Sequence, residues 1–196
     1  MFTVRDRRGW ERVATVVAVV GALLLVTILV MASTRAAFFD TTDSAGNALA
    51  AGDVVLSDDD SGSAMFSVSN MAPGDSAVRC IAVQYDGSIV PADVVLYIGS
   101  GDLTGSGLAT YLDMTVELGS GGGFADCTGF SGSTSYSGTL SGFASAHSDF
   151  GSGAGGWTAV TTGDDRTYRV TLTLQDDNDA QALNADVTFT WEAQNQ

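Results

Sequence analysis

Tyr168, Val170, Leu172 and Leu174 alternate with Arg169, Thr171 and Thr173, and Val187, Phe189 and Trp191 alternate with Thr188, Thr190 and Glu192. Successive side chains of an extended strand point to opposite faces, so a two-residue apolar period buries one face of a sheet and wets the other. Helices need a period of 3.6 and cannot use this pattern. Similar short runs, rich in Val, Ile, Thr, Tyr and Phe and bounded by Gly, Asp and Ser, occur at residues 53–57, 64–69, 77–85, 92–98 and 111–118. With 167–175 and 186–193 they predict an all-β chain, folded as an antiparallel β-sandwich of jelly-roll type. Between the runs, Ala72-Pro73-Gly74-Asp75 has Pro second and Gly third, the chemistry of a type II turn. Asp86-Gly87 is followed by Pro91, which cannot donate to a ladder, so this connection predicts a crossing between sheets rather than a tight hairpin.

One segment departs from the period of two. Leu140, Phe143, His147 and Phe150 recur at spacings of three and four, which predicts a short amphipathic helix capping one end of the sandwich. The flanking stretches GSGGGF and GSGAGGW read as flexible glycine loops.

The N-terminus is a different kind of sequence. From Val13 to Ala32 no residue is charged, a run about 30 Å long as a helix and sufficient to cross a bilayer. Arg5, Arg7, Arg8 and Arg12 precede it, the basic flank that keeps an N-terminus cytoplasmic and sends the following chain outward. After it, Thr34-Arg35-Ala36 places small residues where a signal peptidase requires them. The domain layout expected is residues 1–37 as a signal peptide or uncut signal anchor, 38–52 as an N-terminal extension, and 53–196 as the sandwich. Both fates of the hydrophobic helix stay open, cleavage at Ala36 or Ala37 and a permanent membrane anchor. The membrane is a partner only through residues 13–32, and the rest of the chain is expected outside the cell.

Cleavage after residue 37 removes five of the eight arginines with two of the 23 acids, leaving three arginines, no lysine and 21 acids, a formal charge of −18. Such a surface repels phosphate, which excludes nucleic acid as a partner. Cys80 and Cys127 are the two cysteines and both lie in the exported part, where one disulfide is the natural inference. The competing reading is a pair of buried free thiols.

No catalytic constellation emerges. A zinc site of the usual kind needs several histidines at ligand spacing, and His147 is alone, so it reads as a half-buried helix residue. The serines include no nucleophile elbow, and without lysine there is neither a Schiff-base nucleophile nor a phosphate loop. No catalytic or cofactor-binding residue is therefore named. Acids concentrate in SDDDSGS at 57–63 and QDDNDA at 175–180, making Asp58, Asp60, Asp176, Asp177 and Asp179 candidates for a weak calcium site. Neither loop is an EF-hand, since Gly62 and Ser69 occupy ligand positions, and solvated turn acids are the other reading.

The junction AAFFD, then AGDVVLSD, VSNMAPGDS, YDGSIVPADVVLY and the closing VTFTWEAQNQ resemble, in that order, the TasA/camelysin family of exported bacterial proteins. The resemblance covers essentially the whole chain. It implies a dedicated signal peptidase as a partner, cutting near Ala36 or Ala37, and a jelly-roll domain outside the cell. It further implies extracellular fibres of a biofilm matrix, in which the freed N-terminal segment, with Phe38 and Phe39 as assembly residues, enters a neighbouring copy or paralogous subunit as an extra strand. Phe38 and Phe39 have a second reading, as an edge strand on their own sandwich. Some family members carry a metalloprotease label, which makes a camelysin-like surface metalloprotease the alternative function, beside a membrane-anchored monomeric surface domain.

Overall fold

The computed structural model describes residues 52–124 and 126–196. The hydrophobic helix, Ala36, Ala37, Phe38, Phe39 and the extension up to residue 51 lie outside the described residues. Ten strands form the described fold: β1 Leu56–Asp58, β2 Ser76–Tyr85, β3 Ala92–Tyr97, β4 Leu103–Gly105, β5 Leu112–Ser120, β6 Ser131–Thr139, β7 Ala154–Ala159, β8 Asp165–Leu174, β9 Ala185–Val187 and β10 Thr190–Asn195. One α-helix, α1 Leu140–Ala146, follows β6.

Every ladder is antiparallel. Five strands run in the order β1-β2-β8-β5-β6, three in the order β10-β3-β7, and β4 pairs with β9. Nested pairs β2 with β8, β3 with β7 and β5 with β6 roll up like one long hairpin, the wrapping that defines a jelly roll. Alternate residues of both larger sheets meet in a single core, with Ile81, Val83 and Tyr85 from β2, Val94 and Leu96 from β3, Met114 and Val116 from β5, and Tyr168 and Val170 from β8 all buried. Tyr168 also spans the layers, its hydroxyl donating to the Gly155 carbonyl of β7 at 2.8 Å.

The predicted turns form as their residues dictate. Gly74 takes φ +85° and Asp75 N–H donates to the Ala72 carbonyl at 2.9 Å, closing the Pro-Gly turn before β2. The Asp86–Pro91 connection crosses from the five-stranded to the three-stranded sheet, as Pro91 foretold. Thr139 caps α1, its hydroxyl accepting from Gly142 N–H at 3.1 Å, and Leu140 and Phe143 are buried. Phe150, read as the end of the same helix, lies instead in a separate 3₁₀ turn, Phe150–Ser152, capped by Asp149.

Three expectations are corrected. Residues 64–69, predicted as a strand, belong to no described ladder. The run 186–193 divides into β9 and β10, which sit in different sheets. GSGAGGW is not a flexible loop, because its second half begins β7. β4 and β6 were also missing from the predicted strands. β6, SGSTSYSGT, has no apolar alternation to display, since it is a sheet edge held by its ladder to β5 and largely exposed.

Cys80 and Cys127 form a disulfide with Cα atoms 5.3 Å apart across a separation of 47 residues. Cross-linking a loop of that length contributes about 4 kcal/mol on the chain-entropy model. Cys80 lies on the outward face of β2, so the bond fastens the loop after β5 over the outside of the five-stranded sheet. Arg169 completes that cover, pairing bidentately with Glu117 at 2.6 and 2.7 Å while its guanidinium sits 4.5 Å from the Phe130 ring centre.

Candidate functional site

A cleft of about 740 Å³ is lined by residues of β2, β5 and β8, of α1, of β9 and β10, and of the segment 63–71. Ala77 and Ile81 of β2, Leu172 of β8, Leu112 of β5 and Leu140 of α1 supply aliphatic side chains to it. Val187, Phe189 and Trp191, the alternating residues of the last sequence run, line a second side. The third side is residues 63–71, contributing Met65, Phe66, Val68 and Met71. Phe66, Phe189, Trp191 and Tyr168 continue one another as an aromatic series, with successive ring centres 6.4, 6.4 and 5.8 Å apart.

Two backbone features accompany this apolar lining. β9 and β10 each pair on one side, with β4 and β3, and their other edge has no partner among the described residues. Residues 64–71, which include Asn70 at φ +56°, make no backbone–backbone hydrogen bond to another described residue. The first bonds on either side are Ser63 N–H to the Asp60 carbonyl and Ala72 N–H to the Asp75 carboxylate. A free strand edge beside a cleft that carries aliphatic and aromatic side chains is geometry that an added strand can satisfy. The indole N–H of Trp191 is likewise buried without a partner among the described residues. Asp60, Asp102 and Asp186 also line the cleft, and no Lys or Arg does.

The candidate calcium residues fall into two loops and are engaged as turn acids. Asp58 accepts from Asp60 N–H at 3.2 Å and Asp60 from Gly62 N–H at 2.5 Å. Partial burial, with Asp60 and Asp59 close by, raises the Asp58 carboxyl above its ordinary value. Asp177 caps the 3₁₀ turn Asn178–Ala180 by accepting from Asp179 N–H at 2.9 Å, and Asp176 and Asp179 are exposed. Among the described residues no three His, Cys, Asp or Glu side chains are placed to hold a metal ion. His147 ends α1, with Nδ1 2.5 Å from the Ser152 carbonyl and its ring packed on Phe143 and Tyr136.

Sequence reasoning passed over Asp59. One of its oxygens accepts from Ala82 N–H of β2 at 2.9 Å and the other from Phe124 N–H at 2.6 Å, so it ties the loop after β1 to both the sheet and the disulfide loop. Reading also missed the cleft, because its sides come from segments far apart in the chain. The one available signal was the strand-like run 64–69, whose alternation promised a ladder.

No curated protein matches the chain. Residues 12–100 match the model of the family described as camelysin metallo-endopeptidase, a span that contains four of the five motifs and ends just past β3. Over those residues the chain is similar to the camelysin family, in agreement with the TasA/camelysin resemblance carried by its motifs.

Proposed function

We propose that this protein is a secreted structural subunit that assembles into extracellular fibres of a biofilm matrix, with residues 38–52 of one copy entering the cleft of the next as an added strand. The observation that supports this reading is the cleft itself, whose lining mixes aliphatic and aromatic side chains with acids and hydroxyls and includes residues of β9, of β10 and of the segment 63–71. Phe38 and Phe39 are bulky residues that favour strands, and they suit the aromatic side formed by Phe66, Phe189 and Trp191. Donation from each copy to the next does not close on itself, so it yields filaments. Cleavage at Ala36 or Ala37 is then the switch, since it frees the donor segment from the membrane. The partners are copies of this chain or related fibre subunits, and calcium acts by screening carboxylates rather than as a built cofactor.

Negative-stain electron microscopy and sedimentation of the chain beginning at Phe38 test this, beside a chain that lacks residues 38–50. Filaments of repeating globules from the first and monomers from the second are expected. Equal polymerisation of both chains would refute donation. The family's description favours one other reading, a surface metallo-endopeptidase. Casein digestion that a chelator abolishes, by protein that forms no filaments, would establish it.

A further inference from the structure

The cleft is bordered by a further stretch of unpaired backbone, on β2. Strand β1 covers Val83, Gln84 and Tyr85 of that edge and goes no further. Ala82 N–H points to the same side, where it donates to the Asp59 carboxylate at 2.9 Å. Backbone groups alternate sides along an antiparallel strand, so Val78 and Cys80 direct theirs that way too. Neither makes a backbone–backbone hydrogen bond to a described residue on that side. Ala77 and Ile81, which flank this stretch, line the cleft. Arg79 stands between them, the only cation of β2. Its guanidinium donates to the Val78 carbonyl at 2.8 Å, so it rests on an acceptor that an added strand would use.

Of the three arginines beyond residue 37, Arg169 pairs with Glu117 and Arg166 lies 5.3 Å from the Trp157 ring centre. Arg79, half-buried, forms no ion pair among the described residues, in a chain with 21 acids after residue 37. The segment proposed to enter the cleft, residues 38–52, carries two charged side chains, Asp40 and Asp43. Asp60, Asp102 and Asp186 in the cleft lining repel such a segment, and no Lys or Arg of the lining offsets them. We propose that Arg79 selects the incoming strand, its guanidinium leaving the Val78 carbonyl to pair with Asp40 or Asp43 of a neighbouring copy. This rests on the donor-strand reading and names the contact that makes it specific. Carboxylate oxygens take the guanidinium N–H groups, and the Val78 carbonyl so released accepts a backbone N–H of the added strand. A charged side chain on a strand edge discourages pairing with strands in general. Arg79 therefore admits a strand that brings a carboxylate and disfavours one that does not.

Charge reversal tests the pairing on the chain beginning at Phe38, the compact unit Phe38–Gln196, with filaments followed by sedimentation and negative-stain electron microscopy. One form carries Arg79→Glu, and the other carries Asp40→Arg with Asp43→Arg. Each alone should require about tenfold or more protein to form filaments, because like charges then meet at the β2 edge. Mixed one to one, the two forms should polymerise as the unmodified chain does, since each donor segment then finds the opposite charge in the other form. Circular dichroism and the urea midpoint establish that both forms are folded, and recovery on mixing is a result that misfolded chains cannot give. Unimpaired filaments from either form alone, or two impaired forms that do not recover when mixed, overturn the role of Arg79. Neither result touches donation itself, which is judged by the chain lacking residues 38–50. Polymerisation of that shortened chain would overturn both readings together.

Discussion

Asp53 accepts from Ser88, 35 residues along the chain, and Asp126 and Asp164 each serve as the acceptor of a local turn. Hydrogen bonds from Ser88, from Thr128, and from Val160 and Thr161 respectively hold their carboxyls below the ordinary value of 3.8. Tyr97 shifts the other way, its hydroxyl pushed up to about 12 by burial and by its hydrogen bond to Glu192. A carboxyl depressed by folding contributes stability that is present above its unfolded value and lost as pH falls through the folded one. A phenol raised by folding contributes stability that is present below its unfolded value of 10.0 and lost as pH rises towards about 12. The urea midpoint measured against pH should therefore hold a plateau between those limits, fall below pH 3.8 and fall again above pH 10. A midpoint unchanged through the alkaline limb would show that Tyr97 is not held neutral by the fold. None of Asp53, Asp126 and Asp164 is followed by Gly or Ser, and none was singled out in the sequence, where the turn acids read were those of SDDDSGS and QDDNDA. Asp59 was not legible either. Its two donors lie 23 and 65 residues away, and nothing beside it in the chain points to them.

At the scale of elements, strands appeared in the sequence where burial writes a pattern and were hidden where the ladder alone holds them. β2, β3, β5 and β8 bury one face each, and their alternation located them to within a few residues. β7 looked like a loop because it contains Gly155 and Gly156, yet Gly155 is required where it stands. It takes φ +62°, and a Cβ there would lie 2.6 Å from the ring of Tyr168. The glycine marks a close approach between layers rather than freedom of the chain. Gly155→Ala should cost about 2 kcal/mol or more, from the left-handed backbone and the crowded ring together, measured as a lowered urea midpoint with unchanged slope. Full stability in that variant would show that the two sheets are not pinned at this point. Residues 64–69 are the converse case, since they have the pattern of a strand and lack a described ladder. The sequence signal there was sound as chemistry, and the fold leaves its partner position open at the cleft.

For the whole molecule, the sandwich carries a cleft in which aliphatic and aromatic side chains stand beside Asp60, Asp102 and Asp186, with no Lys or Arg in its lining. In the proposed assembly the cleft receives a strand from a neighbouring copy. The all-β class was legible because it depends on a period, while the cleft depends on which segments the topology brings together. Whether residues 38–52 fill a neighbour's cleft is best decided by placing a photo-cross-linking phenylalanine analogue at position 39 and mixing unlabelled with ¹⁵N-labelled chains before assembly. After illumination, mass spectrometry should find position 39 joined to the peptides bearing Phe66, Phe189 or Trp191 of the differently labelled chain. Adducts confined to chains of the same label, or absent from the cleft altogether, would contradict strand donation between subunits.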